Sequence, residues 1–156
     1  MSEMAYKKSL AKGLLAGLVG GLVATAVKTL AERMYPPRTH GEAEPPEMLA
    51  EKLAGHALAV QDREAAATAI QWGFGALSWA AYGALAEYYP AATAKDGAGF
   101  GMALASLTHE HMLPALGLEA EPDEQTARER TSEMATHVLY GVATEMVRRV
   151  VRKILG

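Results

Sequence analysis

Six residues of this chain have side chains suited to proton or ion chemistry and sit where a helix would otherwise be apolar: Lys28, Glu32, Gln71, His109, Glu133 and His137. The chain has no cysteine, which removes disulfides, thiolate metal sites and a cysteine nucleophile and leaves histidine and carboxylate as the only good ligands. Imidazoles beside carboxylates and an amine support three kinds of chemistry. They can form a fixed network of ion pairs and hydrogen bonds that sets how helices pair. They can form a proton-responsive site, since an ordinary imidazole changes charge near neutral pH. Or they can form a metal or haem site on His109 and His137, with His111 and Glu133 as further ligands. Against the third reading, the sequence has neither the Glu-x-x-His pairs of di-iron bundles nor a His-Glu-x-x-His motif, and Lys28 disfavours a nearby cation, so neither a metal nor a cofactor is expected. A second charged set, Glu87, Glu145, Arg148 and Arg149, belongs to the other ends of the same helices. His40 and His56 read as loop histidines.

The elements that must position these groups are four apolar runs. The first is Gly13 to Val27, running on to a stop at Pro36-Pro37. A polar connection follows, in which Pro45-Pro46 opens a short amphipathic helix over about Glu47 to Val60. The second run, Ala65 to Ala86, carries no formal charge and is the one segment that satisfies the length rule for spanning a bilayer unaided. The third, Gly97 to Leu118, is interrupted by His109-Glu110-His111 and Pro114; the fourth runs from about Glu133 to Leu155 after an acidic loop. With 156 residues and only 6% aromatics, the chain is expected to form one all-α domain over residues 1–156, a four-helix transmembrane bundle with a short amphipathic helix in the first external loop.

Two patterns point toward lipid. Gly13, Gly17 and Gly21, and again Gly97 and Gly101 with Ala105, form small-residue ladders that let helices approach where no hydrophobic effect joins them. The basic ends and acidic connections alternate as the positive-inside preference requires, placing both termini in the cytoplasm. Trp72, Trp79, Tyr82, Tyr88 and Tyr89 add a weaker anchor signal. A mean hydropathy of only +0.01 keeps a soluble four-helix bundle as an alternative. Under the four-span topology the six polar residues gather toward the outer face, and Arg148 and Arg149 fall at the inner face near Glu87 as a partner. At about 100° per residue, Glu133, His137, Tyr140, Thr144 and Arg148 make one stripe, with Glu145 and Arg149 well around the helix.

Enzymatic readings find no footing: there is no phosphate-cradling loop, no nucleophile elbow and no catalytic residue to name. A net charge of −3 argues against nucleic acid as a partner. The expected partners are the lipid bilayer and either further copies or the subunits of a larger membrane complex, in which this chain would be an accessory structural subunit.

The segments GLLAGLVGGLVATAVKTLAERMYPPR, AAYGALAEYYP, HEHMLPALGL and SEMATHVLYGVATEMVRRVVRK resemble, in that order, the YagU-like family of small bacterial inner-membrane proteins. The resemblance implies an integral inner-membrane protein of unassigned activity, associated with acid tolerance. It carries over to Lys28, Glu32, Pro37, Arg38, Tyr82, Glu87 and Pro90 in the first half, and to His109, Pro114, Gly117, Glu133, His137, Glu145 and Arg149 in the second. Relatives carry a histidine near the place of Gln71, a departure that weakens a shared multi-histidine metal site.

Overall fold

The computed structural model describes residues 7–38 and 41–156, so His40 lies outside the described residues. All regular structure among them is helical. Helix α1 (Leu10–Met34) starts at Ser9, whose hydroxyl accepts the Lys12 amide, and ends before the two prolines. Helix α2 (Pro45–Ala54) opens with a capping box between Glu44 and Glu47 and closes on Gly55 at φ 75°. Helix α3 (Val60–Tyr88) is followed by a 3₁₀ segment, Pro90–Gly97. The third apolar run is one rod of three pieces: α4 (Ala98–Ala105), a π-helical turn (Ser106–Met112) and α5 (Leu113–Ala115). Helix α6 (Ala127–Leu155) completes the set.

Two boundaries differ from the sequence reading for local reasons. Helix α6 begins well before Glu133, because Thr126 and Glu129 form a capping box that converts part of the acidic connection into helix. The short helix stops at Ala54 instead of Val60, because Gly55 takes the left-handed conformation. A third difference concerns which segment suits a membrane. By length and composition α1 is the one described helix that qualifies. The second run was favoured for its lack of charge, but Gln71, Ser78, two tryptophans and a tyrosine keep α3 less apolar than α1.

Helix α1 is the central element, packed on α3 along one side and on α6 along the other, while α4 lies against α6 and α2 against α3. The glycine ladders are the contact faces. A methyl group at Gly17 would run into the Trp79 carbonyl and stand 2.8 Å from Gly83 Cα. Gly13 and Gly21 face Glu87 and Trp79 on the same helix α3, and Gly97 and Gly101 meet the Gly141 and His137 carbonyls of α6. Gly83 and Gly141 are the matching glycines on the partner helices, and the ladders only work because both sides are bare.

Among the described residues the interior is unusual in composition. An aromatic group of Trp79, Tyr82 and Tyr140 with Phe100 alongside fills the space between α3, α4 and α6, with Trp79 and Tyr82 fully buried and therefore not at an interface. Around it are buried Thr25, Lys28, Thr108, Ser132, Glu133, His137, Thr144, Glu145, Arg148 and Arg152. Of the large aliphatic side chains only Leu104 and Leu118 are buried, whereas Leu10, Leu15, Val23, Leu30, Leu77, Met146, Val150 and Ile154 are exposed.

Candidate functional site

The polar groups form two separate clusters at opposite ends of the bundle. At the end where α1 stops and α6 starts, Lys28 Nζ bonds Glu32 one turn further along α1 and stands 3.9 Å from Glu133 Oε2 on α6. His137, one turn after Glu133, has its Nδ1 2.8 Å from the Glu133 carbonyl. A carbonyl can only accept, so Nδ1 carries a proton. His109 is delivered by the π-helical turn. Pro114 cannot donate to the Glu110 carbonyl, and the backbone widens there so that the Leu113 amide reaches Thr108 instead. That turns His109 inward, with its ring centroid 5.0 Å from that of His137. His109 Nδ1 lies 2.8 Å from Glu119 Oε2, so it too donates from Nδ1, and its Nε2 faces Glu133 Oε2 at 3.2 Å.

Arg38, just beyond α1, ties the cluster to the connecting loops. Its guanidinium reaches Glu44 at 2.7 Å, Glu119 at 2.6 Å and Glu133 at 3.8 Å. Burial alone would lower the pKa of Arg38, but the carboxylates of Glu44, Glu119 and Glu133 outweigh it and hold the group above its usual value. Burial pushes the Glu44 carboxyl up, Arg38 opposes this, and the charge of Glu133 adds to the rise. The network as a whole sets two fixed cations, Lys28 and Arg38, against four carboxylates, Glu32, Glu44, Glu119 and Glu133. Glu133 Oε2 has no hydrogen-bond partner although its side chain is only 8% exposed.

A cavity of about 480 Å³ opens beside this cluster. Its floor is polar, with Lys28, His109, Glu133, His137, Thr25 and Tyr140. Its wall is apolar, formed by Leu49, Ile70, Phe74, Met112 and Leu113 with the prolines of the first connection. Thr25 donates its one proton to the Gly21 carbonyl, so Tyr140 donates to Thr25, 2.7 Å away. Gln71 lines the cavity as well. Of the expected six residues, five are thus joined by ion pairs or hydrogen bonds and Gln71 faces the shared space. His111 and His56 are exposed, bonded only to the Ser106 and Ala57 carbonyls.

At the opposite end the expected pairing is different. The direct partner of Arg148 and Arg149 is Glu145 on their own helix, at 2.6 and 2.7 Å, with Arg149 also reaching Asp96 at 2.7 Å, and Arg148 acts on Glu87 only at longer range. Glu87 instead takes Arg152 and the Ser9 amide, tying the ends of α1, α3 and α6 together. Glu145 is fully buried and accepts a hydrogen bond from Tyr82, because α6 is covered by α1 on one side and by α4 on another, so two of its faces are interior. A single-stripe reading could not find it.

Taken from the residues alone, the sequence reading missed Glu44 and Glu119, which lie in connections that no helical periodicity reaches; Arg38 was available only through the resemblance. His109, Glu133 and His137 are the described residues able to hold a metal, with one ligand atom of each lying within 4.8 Å of the others.

An all-helical chain with charged groups inside and aliphatic groups outside is the class of molecule these features define. Residues 22–146 match the family model described as a protein of unknown function, DUF1440, and the chain belongs to that family. No curated protein and no solved structure matches the chain.

Proposed function

We propose that this is a small multi-pass protein of the bacterial inner membrane, YagU-like and non-enzymatic. Its four spanning segments are α1, α3, the α4–α5 rod and α6; both termini are cytoplasmic, and a cation-accepting cluster lies near the outer face. The observation that carries the reading is the reversed distribution of side chains. Leucine, valine, isoleucine and methionine cover the outside while lysine, glutamate, histidine and arginine fill the inside. In water that arrangement forfeits the main driving force of folding. In lipid it is the expected one, since ionisable groups turn inward to partners or a cavity and small residues make the helix contacts.

The cluster supports the word cation-accepting. Four buried or half-buried carboxylates are ion-paired with Lys28 and Arg38, and one carboxylate oxygen, on a residue that lines the cavity, has no donor. A proton is the simplest cation to supply the missing charge, which is how the acid-tolerance association of the YagU-like resemblance would enter.

The absence of native cysteine makes the test clean. Gly55→Cys in the first loop and Phe74→Cys on the cavity wall should react in intact cells with a maleimide that cannot cross the membrane. Ala94→Cys, between α3 and α4, should react only after lysis. The chain should stay in the pellet after alkaline carbonate washing. Release into the supernatant, or labelling of Ala94→Cys from outside, would defeat the reading.

A further inference from the structure

We propose that His109, Glu133 and His137 form a binding site for one divalent transition metal of the zinc class, with an open coordination position facing the cavity. This inference names the cation for the site proposed above and rests on that reading only for which side of the membrane the metal comes from.

The geometry supplies the argument. Both imidazoles are held in the same tautomer by partners typical of metal-bound histidine, a carboxylate for one ring and a backbone carbonyl for the other. In the neutral form each ring then has Nε2 free to bind. His109 Nε2 stands 3.2 Å from Glu133 Oε2, two lone-pair atoms side by side in a buried place, yet Oε2 lies outside hydrogen-bonding geometry and has no other donor. Such a contact repels unless a proton on Nε2 or a metal ion between the two relieves it. Metal–ligand bonds of about 2.0–2.1 Å in a tetrahedral site put neighbouring ligand atoms roughly 3.3 Å apart, close to the observed separation. One ring nitrogen of His137 falls within 4.8 Å of both other ligand atoms, and its Nδ1 stands 3.8 Å from Glu133 Oε2, so a reorientation of the His137 ring would complete the triangle.

Lys28 is the obvious objection, and the charges answer it. Its Nζ is bonded to Glu32 and reaches Glu133 only at 3.9 Å, and Arg38 is already divided among Glu44, Glu119 and Glu133. Among the ion-paired groups two cations, Lys28 and Arg38, face the four carboxylates, and a divalent ion would balance them; Arg33 and Arg130 border the cavities alongside. Three protein ligands with the fourth direction open to a cavity is the arrangement of zinc sites that keep an exchangeable position.

The test uses the full chain in mild detergent, stripped with a chelator and titrated at neutral pH with Co²⁺ alone, then with Zn²⁺ in competition. The expected result is one Co²⁺ per chain with the visible absorption of a tetrahedral ion, displaced by Zn²⁺. Glu133→Gln and His137→Ala should remove the band, and Glu119→Gln, which loses the partner of His109, should weaken binding about 10- to 100-fold. His111→Ala should bind as the parent does. Far-ultraviolet circular dichroism and gel filtration identify any variant that has failed to fold, and Glu119→Gln provides a second reading if Glu133→Gln is one of them. A folded parent without a stoichiometric band, or equal binding by Glu133→Gln and the parent, overturns the proposal. Because cysteine labelling and Co²⁺ binding are separate readouts, a chain that spans the membrane without binding Co²⁺ sinks the metal alone. A chain that binds Co²⁺ with the opposite labelling pattern sinks the topology alone.

Discussion

Glu145 has no exposure and serves three donors, the Tyr82 hydroxyl and the guanidinium groups of Arg148 and Arg149. Removing its charge leaves Arg148 buried beside a neutral amide, and breaking a buried pair from one side costs about 3–5 kcal/mol. Glu145→Gln should therefore lower the melting temperature in detergent far more than Arg149→Gln, whose side chain is half exposed; equal melting of the two variants would refute this. Glu44 behaves in the opposite sense. Its carboxyl is raised, chiefly by burial, so the folded protein holds that proton more tightly than the unfolded chain does. The stability linked to the proton is fully present below the ordinary glutamate range and is lost as pH rises through the raised value. Glu44→Gln removes this dependence, so its melting temperature relative to the parent should climb between acid and neutral pH, and a flat difference would contradict the assignment. The partners in the first cluster were legible from the sequence wherever they sat on helices, because helical spacing fixes which residues share a face. Glu44 and Glu119 were not, since their positions depend on how Arg38 gathers two loops.

For the elements, the helix pairings follow from glycine. The ladder of Gly13, Gly17 and Gly21 was readable as a contact face, but its partner was not, because a ladder says how closely something approaches and not what. Gly17→Ala places a methyl group against the Trp79 carbonyl and Gly83 and should cost about 1–3 kcal/mol or more by overpacking. Gly73→Ala, with open space around the new carbon, should melt no lower than the parent. Similar losses in both would show that α1 and α3 do not meet along this face. The third run shows the limit of periodicity more plainly. Its pattern was read as one span, but Pro114 forces a wider turn over Ser106–Met112, and that turn orients His109. The start of α6 was also within reach of the sequence, since Thr126 and Glu129 have capping-box spacing.

Among the described residues, the exposed aliphatic side chains run along α1, α3 and α6, and the exposed charged groups of these helices, Arg33, Asp62, Glu64, Arg128, Arg130, Arg149 and Lys153, lie toward their ends. On the membrane reading this surface is covered by lipid, so dilution of purified chain below the detergent threshold should give immediate aggregation, and re-addition of lipid should prevent it. A monodisperse particle in plain buffer would favour the soluble bundle. Mean hydropathy does not decide between the two, because a value near zero results from a polar interior with an apolar exterior or from the reverse.

The Lys28–Glu32 pair has one more consequence, for the order in which such a chain is made. Helix α1 is synthesised long before α6, so Lys28 leaves the ribosome with Glu133 and His137 not yet in existence. On the membrane reading, because its counter-charge is one turn further along the same helix, the newly made segment would move sideways out of the translocon as an electrically self-contained unit and wait in the bilayer until the last helix arrives.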